Sequence, residues 1–201
     1  CTVTGSNAIQ GETNLLFDGS FLYSSYFTSG RGSGFSTANS YKVYINNIGG
    51  ETITNILIDL NGLYYNYVDS STQTIIGNQS GTINSPYFYR VSDTTNGIIY
   101  KVEMNCFTTI SGGNDRLGIS ASASVPSGID SGDSASSLSS IISIDTILKG
   151  SRHLNSSFSA LTLSDDEYLY ITADYEDSTF SNASSESFTT GKLLIKLYGV
   201  K

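Results

Sequence analysis

Few side chains here could act as nucleophile, base or soft metal ligand near neutral pH: one histidine, His153, and two cysteines, Cys1 and Cys106. Ser151, Ser156 and many acids are available around His153, so a Ser-His-Asp arrangement can be composed from these residues. The local sequence argues against it. No Gly-x-Ser-x-Gly elbow occurs, and a lone histidine flanked by Arg152 and Asn155 reads as a solvent-exposed loop residue. No His or Cys pair has zinc-ligand spacing, and there is no EF-hand loop. Asp165-Asp166-Glu167 and the acids Asp174, Glu176 and Asp177 flank one strand and read either as hard-oxygen ligands for calcium or as a plain solvated turn. The expectation is a protein with no catalytic residue, no cofactor and no metal.

Cys106 falls on the inward phase of a strand, where it is either an ordinary core thiol or one half of a bridge to Cys1. That bridge would close about half the chain and stabilise it by about 4 to 5 kcal/mol in the loop-entropy model. Cys1 also fits the acylated first residue of a processed lipoprotein. Three Asn-x-Ser sequons, at Asn78, Asn155 and Asn182, fall in expected loops and would accept N-glycans in a glycosylating host. Fourteen tyrosines against no tryptophan form clusters that include Tyr64, Tyr65 and Tyr67, then Tyr87 and Tyr89. Rings at adjacent strand positions point to both faces, so some serve a glycan or subunit contact unless all pack within the fold or between copies.

The chain of 201 residues is 38% hydrophobic and only 14% charged, with formal net charge -8 and pI near 4.4. It is too apolar for disorder and too acidic for a phosphate-binding surface, so no nucleic-acid partner is expected. No run approaches the roughly 18 apolar residues of a membrane helix, and no membrane span is expected.

What positions these groups is a series of strands. Tyr41, Val43 and Ile45 alternate before Gly49-Gly50, and Ile56, Ile58 and Leu60 alternate after it. Asn61-Gly62 predicts a type I′ hairpin that folds residues 63–68 back onto residues 53–60. Asn96-Gly97 predicts another turn, followed by a strand with Ile98, Tyr100, Val102, Met104 and Cys106 on one face and Lys101 and Glu103 on the other. Four further strands are expected at residues 117–124, 141–148, 169–175 and 192–198, the last with Lys192 and Lys196 facing out. Short turns joining so many strands predict an all-β, antiparallel two-sheet sandwich or jelly roll over residues 36–201. The Ser-rich segment 124–140 reads as a long exposed loop.

Residues 1–35 differ: a polar start, an apolar patch from Leu15 and a Gly/Ser-rich hinge at residues 29–34. They predict an N-terminal assembly arm whose Leu15, Leu16, Phe17, Phe21 and Leu22 bury against another subunit, or else a first strand of the same domain.

The stretch Gly11-Glu12-Thr13-Asn14-Leu15-Leu16-Phe17-Asp18-Gly19-Ser20-Phe21-Leu22 resembles a unit recurring in tail fibres and other appendage proteins of tailed bacteriophages, where it precedes β-rich domains. The closing Thr190-Gly191-Lys192-Leu193-Leu194-Ile195-Lys196-Leu197-Tyr198-Gly199 is similar to the last strand of many phage structural proteins. The resemblance implies a non-enzymatic virion component, and a single copy of the unit favours a compact decoration, fibre-tip or adaptor domain. A second resemblance is to Ser/Thr/Asn-rich pilus-like subunits that link by donor-strand exchange. The expected partners are copies of itself, other virion or filament proteins and cell-surface glycans, in an extracellular particle or on a cell-surface filament. A secreted carbohydrate-binding module is the third reading.

Overall fold

A computed structural model describes residues 15–17, 22–24, 31–35, 41–65, 73–78, 85–112, 115–123, 134–155, 163, 165–173 and 186–201. In chain order the strands are β1 (Leu15–Phe17), β2 (Leu22–Ser24), β3 (Tyr41–Ile48), β4 (Glu51–Asp59), β5 (Tyr64–Tyr65), β6 (Thr74–Ile75) and β7 (Tyr89–Arg90). A one-turn helix α1 (Asp93–Asn96) precedes β8 (Ile98–Ser111), β9 (Arg116–Ser122), β10 (Ser139–Thr146), β11 (Arg152–Leu154), β12 (Tyr168–Ala173), β13 (Glu186–Ser187) and β14 (Thr190–Val200). Two antiparallel sheets form the sandwich. One runs β11-β8-β14-β4-β3; the other runs β10-β9-β12-β6, with β7 also paired to β12. The expected all-β, two-sheet architecture is therefore observed.

The core follows from strand alternation. Ile56 and Ile58 of β4, Leu193, Ile195 and Leu197 of β14, and Val102 and Met104 of β8 face Leu117, Ile119, Leu169 and Ile171 of the other sheet, all at most 2% exposed. At about 25 cal/mol per Å² of apolar surface removed from water, this shared interior is the main term holding the sheets together. The second sheet is also covered outside, where Tyr168 and Tyr170 pack with Ile75 and Ala135. Ala135 belongs to the Ser-rich segment expected to be an exposed loop. Its N–H donates to the Gln73 carbonyl at 2.7 Å, so residues 134–138 are a cover for the sheet.

Two expectations about strand phase and pairing are corrected. Ile98 is 64% exposed while Ile99 is fully buried, because Tyr198 pairs with Lys101 and Gly199 with Ile99, leaving Tyr100 as an extra residue. That bulge reverses the in/out phase between Ile99 and Val102. The chain after Asn61-Gly62 does not return along β4: β5 pairs with β13 instead. Only Gly62, at φ +83°, takes a positive φ there, whereas a type I′ turn needs it at both central residues. Gly49 and Gly50, at +60° and +87°, meet that requirement, and β3 and β4 form the expected hairpin.

The segment read as a hinge is partly docked. Gly32 N–H donates to the Tyr87 carbonyl at 2.8 Å, and Phe35 is fully buried against Phe88, with ring centroids 6.0 Å apart. Residues 31–35 thus belong to the sandwich. Upstream, β1 and β2 pair as a hairpin of their own, with Leu15 opposite Ser24 and Phe17 opposite Leu22.

Candidate contact surface

His153 is not an exposed loop residue. It sits on β11 opposite Met104, on the inward phase, with a side chain only 16% exposed and Nδ1 3.7 Å from Asp145 of the other sheet. Its Nε2 and the Ser151 hydroxyl are buried and have no hydrogen-bond partner among the described residues, so the two do not bond to each other. A triad needs that bond and an accessible hydroxyl. Asn155 adds a second tie across this edge, its amide donating to the Ile141 carbonyl at 2.9 Å. The group closes one side of the sandwich.

Cys106 is a free, buried thiol; Cys1, the partner weighed for a bridge, lies outside the described residues. Burial raises the Cys106 pKa, outweighing a backbone hydrogen bond with Thr108 that lowers it, and this keeps the sulfur as an unreactive thiol. Asp165 and Asp166 form an exposed turn, in which Asp165 accepts the Asp93 N–H and Asp166 pairs with Arg90. Asp174, Glu176 and Asp177 lie outside the described residues, among which no group of three or more acids, histidines or cysteines is placed to hold a metal.

The tyrosines separate by depth. Tyr89 is 2% exposed and accepts a hydrogen bond from Asn96, so it is a core residue and not a surface contact. Tyr87 is half-buried, edge-on to Tyr168 at 4.8 Å. Tyr64 is half-buried and tied through its backbone to Gly77; the Tyr65 side chain and all of Tyr67 lie outside the described residues. Of the sequons, Asn78 is half-buried and Asn182 is outside the described residues; Asn155 uses its amide as the inter-sheet tie. A glycan on Asn155 would have to displace that bond. Leu15, Leu16 and Phe17 lie on β1 and Leu22 on β2; their side chains, like Phe21, lie outside what is described.

Among the described residues no sheet packs on the outer face of the β11-β8-β14-β4-β3 sheet. Continuous pairing registers put Lys192, Leu194, Lys196 and Tyr198 of β14 beside Ile53, Asn55, Leu57 and Asp59 of β4, with Lys42 of β3 opposite Leu57. On the other flank lie Lys101, Glu103 and Asn105, then Arg152 opposite Asn105. Glu103 anchors this flank. It accepts from Arg152 at 2.7 Å, Asn105 at 3.0 Å and Tyr198 at 3.1 Å, with the Lys101 ammonium 3.6 Å away. Burial alone would raise its pKa, but the hydrogen bonds from Arg152, Asn105 and Tyr198 outweigh it and hold the carboxyl at about 2. Tyr198 moves the other way, up to about 12, through burial and then the Glu103 acceptor.

A carboxyl at about 2 in the folded chain and at its ordinary 4.5 when unfolded stabilises fully above the higher value and loses that contribution as pH falls toward the lower one. Glu103→Gln is expected to remove about 2 kcal/mol at neutral pH, since hydrogen bonds to a charged group are worth about 1.5 to 3 kcal/mol. It should also flatten this group's share of the stability loss between the two pKa values. Urea denaturation at a series of pH values measures both; equal stability and equal acid sensitivity in the two chains would exclude the assignment.

The alternation of Lys192 and Lys196 on β14 was legible locally. Their gathering with Lys42 and Arg152 was not, because it depends on strand order. Among the described residues no helix is long and apolar enough to cross a membrane. Compared with protein-family models, with curated proteins and with solved structures, the chain matches none.

Proposed function

We propose that this chain is a non-enzymatic structural protein that assembles with copies of itself in an extracellular particle, as a virion decoration, fibre-tip or adaptor domain. The observation that carries the reading is the contrast between its two kinds of surface. Among the described residues the groups with chemical potential, His153, Ser151 and Cys106, are turned into the sandwich, while a broad sheet face of mixed apolar and charged side chains has no sheet packed on it. A sandwich with such a face suits packing against identical neighbours. The phage-like segment around residues 11–22 favours the virion among such particles.

Light scattering and electron microscopy of the purified chain test this reading. Concentration-dependent, regular oligomers are expected. A monomer at all concentrations, or turnover abolished by His153→Ala, overturns it.

The filament alternative rests on a separate observation. β3 ends its sheet, and among the described residues no strand is hydrogen-bonded to its outer edge, although β2 comes close to it. Such an edge can accept a strand from a neighbour. One-dimensional chains in the micrographs would favour it over the virion reading.

A further inference from the structure

We infer that the outer face of the β11-β8-β14-β4-β3 sheet docks the acidic surface of a second copy of this chain, head to tail. The inference rests on the self-assembly reading and adds the surface and its polarity.

Charge is unevenly divided. Lys42, Lys101, Arg152, Lys192 and Lys196 are five of the chain's ten cations, and the register places them all on this face. Among the described residues only three acids share it: Glu51, Asp59 and Glu103. Counted over the described residues the face is therefore +2, in a chain whose net charge is -8. Glu103 is 4% exposed at its side chain and already engaged by Arg152, so it offers little to a partner. Lys42 and Lys196 have no ion-pair partner among the described residues.

The face also has the anatomy of an interface. Ile53, Leu57, Leu194 and Tyr198 lie half-buried at its centre, Leu57 directly opposite Leu194, and the cations are spread around them. An apolar centre with a polar rim is the usual arrangement of a protein contact. Five strands about 4.8 Å apart and about nine residues long present roughly 600 to 700 Å², near the ~800 Å² each partner brings to a standard interface.

The occupant follows from sign. A symmetric contact would set this positive face against itself, whereas the chain as a whole carries -8, so a copy presented by another side is the complementary partner. Exposed Asp93 and Asp165, at the corner between α1 and β12, are described acids on such a side. Such a contact joins unlike patches and propagates into a ring or an open chain.

The test uses the whole chain. Sedimentation velocity across a concentration series, at low and high salt, is expected to show self-association that weakens as salt screens it. Lys42→Glu with Lys196→Glu should weaken association at least about tenfold, and the milder Lys42→Ala with Lys196→Ala should weaken it less. Melting curves check that the variants are folded. Carbodiimide coupling of mixed light and heavy-isotope copies should yield inter-copy links from these lysines to acids outside the face. Links to Glu51 or Asp59 of the other copy, or undiminished association in the folded charge-reversed chain, overturn the head-to-tail contact and leave self-assembly standing. No association at any salt or concentration overturns the self-assembly reading itself.

Discussion

Asn96→Ala is expected to lower the unfolding free energy by about 3 to 5 kcal/mol, because it strands three hydrogen-bonding groups at once. Asn96 is fully buried at the end of the sandwich. Its amide donates to the Thr54 hydroxyl at 2.7 Å and to the Tyr89 hydroxyl at 2.9 Å, and its carbonyl accepts the Ser92 N–H at 2.9 Å. One short side chain therefore ties α1 to both sheets, through β4 of one and β7 of the other. Thr54 is fully buried and Tyr89 nearly so, so neither recovers its lost bond from bulk water. Asn96→Asp should also be damaging, since a carboxylate can no longer donate, the Thr54 and Tyr89 hydroxyls must turn their protons to meet it, and a charge is added in the interior. Urea denaturation of both variants measures the effect, and a loss below about 1 kcal/mol for alanine would refute the tie.

The same residue shows what was legible in the sequence and what was not. Asn96-Gly97 reads as a hairpin turn, but the strands on either side of it, β7 and β8, lie in different sheets, and the one-turn helix α1 stands between them. The asparagine, however, is helical and points inward, and Gly97 alone takes the positive φ, at +68°. Gly199 completes the arrangement. A Cβ at that position would lie 1.9 Å from the Asn96 carbonyl oxygen, so the last strand needs glycine to pass beneath α1. No local pattern pairs residue 96 with residues 54 and 199; only the folded sheet order does.

Local pattern succeeded where strands are regular. β14 alternates without interruption, and Leu193, Ile195 and Leu197 are all fully buried as their spacing predicts. It failed on β8, where the bulge at Tyr100 inserts a residue invisible to a period-two reading. The contact face was half legible for the same reason: each strand's outward lysines could be listed, but their convergence needed the order β11-β8-β14-β4-β3. His153 was misplaced because β11 is only three residues long and carries no alternation to read.

Removing residues 1–30 is expected to leave the sandwich folded, whereas removing residues 1–35 should destabilise it by about 3 to 5 kcal/mol, the usual loss for truncating a buried phenylalanine. The five extra residues account for the difference. Phe35 is fully buried between Phe88 and Tyr41, its ring 6.0 and 6.4 Å from theirs. The backbone just before it is stitched down, Gly34 N–H donating to the Ser85 carbonyl at 3.3 Å and Asn78 N–H to the Gly34 carbonyl at 2.7 Å. Gly32→Ala in the full-length chain probes the same strap without deletion. Its Cβ would stand 1.7 Å from the Ser85 carbonyl oxygen, so the strap must lift and uncover Phe35. Thermal melting should rank the chains as full-length and the 1–30 deletion together, with the 1–35 deletion and Gly32→Ala well below. Equal melting of all four would show that the strap contributes nothing. The distinction also decides how the arm is tested: loss of assembly in the folded 1–30 deletion assigns the arm to subunit contact, while the same loss in the 1–35 deletion cannot be separated from damage to the core.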